Sequence, residues 1–176
     1  MRGVILTRVG YTGGSSSNPT YHRLSDHTES VEVQFDSEVL PYEEVLNFFW
    51  RKHDPFGKKS NQYMSAIFYH NEEQQKIATQ SIEKIEKSKN RKVVTKLLPA
   101  KEFYLAEDYH QKFYLSQLPD LMKYFKFTPS KLATSPLATK LNGHVSGAGT
   151  GLQFKEDMKL LNLSKEDILE INKAFN

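Results

Sequence analysis

The chemistry open to this sequence rests on a few short blocks of polar and aromatic residues. His27-Thr28-Glu29 has the H-x-E spacing in which a glutamate shuttles protons beside a zinc-bound water. That chemistry also needs a P-C-x-x-C pair, and the 176 residues contain no cysteine. The six histidines (His22, His27, His53, His70, His110, His144) show no H-E-x-x-H spacing, so no metal site is expected. Gly147-Ala148-Gly149-Thr150-Gly151 lacks the preceding strand of a βαβ unit and reads as a flexible hinge rather than a phosphate-binding turn. Gly13-Gly14 followed by three serines does not form the G-x-S-x-G elbow of a hydrolase. There remain Tyr11, Glu29 and Tyr63, in three strand-adjacent blocks. Taken singly, a tyrosine before Gly-Gly can be core packing with its hydroxyl at the rim. A glutamate at a strand start usually faces solvent.

The rest of the chain is composed as a folded domain. Its length fits one domain with a real core, at 38% hydrophobic, 26% charged and 12% aromatic residues. A net charge of +3 is too small for a nucleic-acid footprint, which comes as a dense one-sided patch. The most basic stretch, Lys84 to Lys92, sits where a helix should end and suits a solvated terminus favoured by the helix dipole. No apolar run approaches the ~20 residues of a membrane span. The apolar start after Met1-Arg2 is too short for a secretory signal and reads as a strand. Without cysteine there is neither a disulfide framework nor a thiolate metal site, and a cytoplasmic address is the default.

These blocks need elements to position them. Val4 to Val9 is a β-branched strand, and Gly13 to Pro19 is a loop by its turn residues. Val31, Val33 and Phe35 alternate with Glu32, Gln34 and Asp36, the period of a strand with one buried face. A helix is predicted over Tyr42 to Lys52, with Pro41 in its first turn, and a strand over Ser65 to Tyr69. Asn71 and Gln74 form a capping box for a helix that buries Ile77, Ile82 and Ile85. Val93 to Leu98 is a fourth strand stopped by Pro99. This order is that of an α+β or split-βαβ domain, with one mixed sheet of about four strands. Short helices and aromatic-rich loops follow from Tyr104 to Phe127. The domain is expected over residues 1–126. Residues 127–176 form a helical extension with a glycine-rich hinge from Gly143 to Gly151 and two closing helices, the last capped by Ser164 with a Leu163–Ile168 staple.

Read together, the blocks resemble the peptide methionine sulfoxide reductases of the A type (MsrA). The resemblance is carried by Thr7-Arg8-Val9-Gly10-Tyr11-Thr12-Gly13-Gly14, Asn18-Pro19-Thr20-Tyr21 and His27-Thr28-Glu29. It continues through His53-Asp54-Pro55, Gln62-Tyr63 with Ser65-Ala66-Ile67, and Ala106 to Gln111. Order and spacing agree over roughly the first 115 residues, with the short loops of a divergent branch. The resemblance implies the MsrA fold, of ferredoxin-like or split-βαβ type, and reduction of the S epimer of methionine sulfoxide in peptides and proteins. A low-pKa cysteine attacks the sulfur, the oxygen is protonated, methionine leaves, and the sulfenic acid is resolved by another thiol. Thioredoxin or dithiothreitol is the external reductant, and no bound cofactor is implied. By the same resemblance Glu29 is the acid, and Tyr11 and Tyr63 are hydroxyl donors to the polarised S–O group.

The departures matter as much. In the family a strand, a Gly-Cys-Phe-Trp-Gly segment and its helix precede the part that begins here at Gly3-Val4 and supply the nucleophile. The sequence begins at Met1-Arg2, so that segment is expected to be missing. Lys58 replaces an acidic residue common five positions before Tyr63, and Met64 stands where arginine is common. Three readings follow: a form of a reductase lacking its N-terminal segment and inactive as it stands, a pseudoenzyme that binds oxidised methionine or a protein partner, or an unrelated α+β interaction domain. The five ordered blocks disfavour the last. Loss of a strand from the sheet is expected to leave unpaired edges, marginal stability and self-association through those edges.

Overall fold

The computed structural model describes residues 2–175. Among them the chain forms five strands and eight α-helices. β1 (Val4–Thr12) lies between β2 (Thr28–Phe35) and β5 (Tyr104–Leu105) in one sheet, and β3 (Ala66–Tyr69) pairs with β4 (Lys96–Pro99) in another. The α+β class holds. The strands expected in one mixed sheet fall into two, because β1 turns to β5 for its second neighbour, antiparallel at Gly10↔Leu105 and Tyr11↔Tyr104.

Two compact units result. The first takes in Gly10–Ser30 and Ser37–Leu105; the second holds the other described residues. The helices beyond residue 126 share a unit with residues 4–9 and 31–36.

In the first unit, α1 (Tyr42–Lys52) has the bounds the periodicity gave. Glu43 and Glu44 at its start and Arg51 and Lys52 at its end complement the helix dipole. Pro41 stands just outside the helix, at the cap position. α2 (Glu72–Lys89) is the crossover of a parallel β3–α2–β4 unit, whose ladder runs from Ala66↔Lys96 to Tyr69↔Pro99. The Asn71 side chain caps it by accepting from Gln74 N–H at 2.8 Å. Gln74 Oε1 returns to the N–H of His70 rather than of Asn71, at 2.9 Å. Leu46, Ile67 and Ala78 make the core, packed by Tyr42, Phe49, Trp50, Ile77 and Leu97. Trp50 keeps its indole N–H satisfied by donating to Ser81 Oγ at 3.2 Å.

The second unit is mostly helical: α3 (Phe113–Ser116), α4 (Pro119–Tyr124), α5 (Pro129–Thr134), α6 (Pro136–Val145), α7 (Gly151–Leu160) and α8 (Lys165–Phe175). Leu115, Leu121, Leu132, Ala138, Leu141, Met158 and Ile171 form its core. The expected hinge is shorter than its glycines suggested. Gly143 lies inside α6, and Thr150 with Gln153 closes a capping box on α7. Ser164 and Asp167 cap α8 reciprocally, at 3.0 and 2.9 Å.

This unit also completes β1. The Gln111 carboxamide accepts from Val9 N–H at 3.1 Å and donates to Val9 C=O at 2.8 Å and Ala106 C=O at 3.1 Å. Thr7 N–H donates to Thr139 Oγ1 at 3.3 Å, and Lys112 Nζ donates to Thr7 C=O at 2.5 Å. On the other side of the strand, Arg8 grips Glu32 of β2 in a two-pronged ion pair at 2.7–3.0 Å. The buried face expected of β2 is not a clean stripe, for Val31 is 60% exposed.

Lys112 is 4% exposed. Burial, with the Arg8 charge nearby, pulls its ammonium from an ordinary 10.5 down to about 8. Between those values the unfolded chain holds a proton that the folded chain does not, so stability rises with pH across that window. Chemical denaturation at pH 7.5 and pH 10.5 is expected to show a gain of roughly 1–2 kcal/mol that Lys112→Met abolishes. An equal gain in wild type and variant would contradict this assignment.

Candidate functional site

The three candidate residues all lie in the first unit. Glu29 is the second residue of β2 and half-buried. Tyr11 sits near the end of the adjacent strand β1, opposite Tyr104 and 1% exposed. Tyr63 ends a single 3-10 turn, Asn61–Tyr63, and is 48% exposed. That turn is tied to the start of β2, where the buried Thr28 hydroxyl donates to Asn61 C=O at 2.9 Å.

The structure links Glu29 to Tyr63 through a residue the sequence did not single out. Gln62 Nε2 donates to Glu29 Oε1 at 2.7 Å and to the Tyr63 hydroxyl at 3.0 Å. The Tyr63 hydroxyl lies 3.3 Å from that of Tyr21. The array therefore runs Tyr21–Tyr63–Gln62–Glu29, with Glu29 Oε2 left without a hydrogen bond among the described residues. The bond to Tyr21, desolvation and the Glu29 charge push the Tyr63 phenol up to about 12, so it keeps its proton across any physiological pH. Tyr21 and Gln62 stood inside blocks already noted (Asn18 to Tyr21 and Gln62-Tyr63). Only their proximity in space marks them, and a single sequence does not carry it.

The loop after Tyr11 is held by the two residues preceding Thr28. His27 is 2% exposed. Its Nδ1 accepts from Gly14 N–H at 3.3 Å while Nε2 lies 2.7 Å from Ser16 C=O. A carbonyl can only accept, so the proton belongs on Nε2. His27 is thus a loop clamp, with both ring nitrogens committed to backbone and neither open to a metal. Among the described residues no group of three or more histidines and carboxylates is placed to hold a metal ion. Asp26 accepts from Ser15 N–H at 2.8 and 3.0 Å and from its hydroxyl at 2.9 Å. Those bonds hold the Asp26 carboxyl down at about 2. The turn itself needs Gly13, whose φ is +87° and where a Cβ would lie only 2.8 Å from the Phe68 ring.

A partly open array of one carboxylate, one amide and two phenols can bind a small polarised oxygen and offer it a proton. Among the described residues no sulfur nucleophile stands beside it, since the sequence has no cysteine. The family model described as peptide methionine sulfoxide reductase matches residues 1–140. A peptide methionine sulfoxide reductase of Drosophila melanogaster is 42% identical over 169 residues, covering 93% of this chain and 68% of the relative. The MsrA of Saccharolobus solfataricus is 41% identical over 152 residues, covering 75% of this chain and 86% of its own. Among solved structures, reduced Mxr1 from Saccharomyces cerevisiae superposes with a TM-score of 0.61 at 30% identity, covering 66% of this chain and 73% of that one. Methionine sulfoxide reductase A of Corynebacterium diphtheriae does so at 0.54 and 31%, covering 67% and 66%.

The Asp26 clamp has a signature in acid. Its carboxyl is depressed from an ordinary 3.8 to about 2, so its contribution is complete above 3.8 and is lost as pH falls toward 2. Asp26→Asn is expected to flatten the acid-unfolding curve between pH 4 and pH 2 and to speed amide exchange at Ser15. Identical acid limbs and exchange rates would remove the clamp from the account.

Proposed function

Because the chain belongs to the peptide methionine sulfoxide reductase family, we propose that it binds methionine-S-sulfoxide in peptides or proteins and does not complete the reduction by itself. The observation that carries this reading is the Tyr21–Tyr63–Gln62–Glu29 array in a chain without cysteine. In this reading Gln62 holds Glu29 Oε1 as an acceptor, and Oε2, once protonated, would donate to a sulfoxide oxygen. The Tyr63 phenol donates to the same oxygen, and Tyr11, which is not one of the four residues of the array, is assigned the second hydroxyl by the family resemblance. Hydrogen bonds of this kind polarise S–O, but reduction also needs an electron pair delivered to sulfur, which family members take from a thiolate. With no sulfenic acid formed here, thioredoxin and dithiothreitol have nothing on this chain to reduce.

Titration with a peptide carrying methionine-S-sulfoxide is expected to show binding that Glu29→Gln and Tyr63→Phe each weaken by about 1–2 kcal/mol, the cost of one such hydrogen bond. Absence of binding, or affinity indifferent to both substitutions, would sink the proposal. Turnover of a methyl aryl sulfoxide with dithiothreitol is expected to equal the blank, and measurable turnover would refute the second half of it.

Self-association through sheet edges belongs to the same reading. β2 ends its sheet with Val31 60% exposed, and β3 and β4 have one neighbour each. Edges of this kind template further strands unless a charge blunts them. Sedimentation is expected to show concentration-dependent association that Val31→Lys reduces. A wild type monomeric at every concentration would contradict it.

A further inference from the structure

The basic run from Lys84 to Lys92 is not alone in space, because α1 and α2 end at the same pole of the first unit. Trp50, near the end of α1, donates to Ser81 of α2 at 3.2 Å. The chain leaving α2 returns to the loop after α1, where Val94 N–H donates to Pro55 C=O at 2.7 Å. The Arg91 guanidinium lies 4.7 Å over the Phe56 ring and ties the two segments again. Burial and then the charge of Lys59 hold the His53 imidazole below its ordinary value, which places Lys59 beside it. Arg51 and Lys52 close α1, Lys58 and Lys59 sit in the loop, and residues 84–92 add five more cations. All nine are exposed.

Little within the two segments neutralises this charge. Residues 51–59 and 83–92 hold nine cations against three carboxylates, Asp54, Glu83 and Glu86. The surplus of six exceeds the +3 of the whole chain, so the remaining sequence is net negative. Glu86 is spent on Lys92 at 2.7 Å and on Val93 N–H at 3.0 Å. Asp54 accepts from Phe56 N–H at 2.9 Å. Among the described residues Lys92 is the only one of the nine cations in an ion pair. Two helix C-termini bring roughly half a negative charge each, far less than the surplus. Solvated helix ends therefore do not account for the pole.

The pole adjoins the candidate site along the chain. Lys58 and Lys59 stand five and four residues before Tyr63, so at most about 18 Å of chain separates Lys58 from it. Both belong to the same unit as Glu29. We propose that the pole selects oxidised methionines lying in acidic segments, whose carboxylates meet Lys58, Lys59 and the helix-end cations while the sulfoxide reaches Glu29 and Tyr63. This inference rests on the sulfoxide-binding reading and adds the sequence class of its protein ligands. A potential of this sign speeds encounter with acidic chains and discriminates against basic ones. A single-stranded nucleic acid fits less well, because its bases need open rings to stack on and Phe56 is covered by Arg91. So does a bilayer, which takes cations beside a free apolar helix face, whereas Leu46 and Phe49 of α1 are packed in the core.

The test titrates the full chain with three short fluorescent peptides, each with methionine-S-sulfoxide at its centre and flanks of glutamate, glutamine or lysine. The glutamate peptide is expected to bind at least about tenfold more tightly than the lysine peptide, with the glutamine peptide between them and the gap narrowing as salt is added. Two charge reversals, Lys58→Glu/Lys59→Glu in the loop and Lys87→Glu/Lys89→Glu on α2, are each expected to shrink or invert that order. Loss of structure would instead weaken all three peptides alike. Equal affinity of the three for wild type, or an order that neither variant changes, would overturn the inference and leave sulfoxide binding standing. No binding of any peptide, or a glutamate peptide held as tightly with unoxidised methionine, would sink the inference and the sulfoxide reading together. An oligonucleotide or phosphatidylserine vesicles that bind the pole more tightly than the glutamate peptide would assign it to that partner and overturn the inference.

Discussion

The rest of the second unit depends on how the backbone of β1 is satisfied once β5 gives out. β5 offers only two residues, which pair with Gly10 and Tyr11. The next polar groups back along the strand lean on side chains: Val9 N–H on the Gln111 carboxamide, Val9 C=O on that carboxamide as well as on Ala106 N–H at 3.0 Å, and Thr7 on Thr139 Oγ1 and Lys112 Nζ. A buried peptide group left without a partner costs about 1–3 kcal/mol, so these side chains replace a missing length of strand. Gln111 suits the role because one amide presents a donor and an acceptor side by side, as a neighbouring strand does. Lys112 is the costly member, since it brings a charge into the interior. It reaches Thr7 from a residue in the left-handed conformation, φ +50°, which sets the start of α3.

In the first unit the same accounting shapes the site. His27 and Asp26 spend their acceptors and one donor on the backbone of the loop after Tyr11. Thr28 then ties the strand to the 3-10 turn that carries Gln62 and Tyr63. Four consecutive residues, Asp26 to Glu29, thus hold one loop, hold another and present the Glu29 carboxyl. Moving His27 would disturb Glu29 two residues away without touching it, so this histidine acts as a clamp on the loop beside the candidate site.

The sequence disclosed elements better than neighbours. α1 is legible to the residue because its apolar stripe and end charges agree, and Asn71 marks α2 because an asparagine ahead of Gln74 supplies the first free N–H with an acceptor. Glu29, Tyr11 and Tyr63 were singled out through their blocks, and all three fall in one unit, where Gln62 joins Glu29 to Tyr63. What could not be read is which strands adjoin, because period-two alternation gives faces and not partners. For that reason the two sheets, the exposure of Val31 and the role of Gln111 emerge only from the fold. The hinge was misjudged for another reason. Glycine lowers helix propensity by about 1 kcal/mol, and α6 absorbs that at Gly143 through the burial of Ala138, Thr139 and Leu141.

The proposed reading asks what a carboxyl group and two phenols can do for a sulfoxide when no thiol is at hand. Hydrogen bonds to the oxygen draw electron density from sulfur and make it a better electrophile, so they stabilise the bound ground state and the transition state alike until a nucleophile arrives. Interactions that strengthen both equally raise affinity without raising rate. The high pKa of the Tyr63 phenol fits that division, since it donates a hydrogen bond steadily and gives up its proton only with difficulty. On the same reading, the proton that would complete departure of the oxygen is assigned to Glu29, and its transfer would gain nothing while the S–O bond stays intact. On the proposed reading, the residues that would assist a reductase would serve, without sulfur, as a receptor for the oxidised side chain.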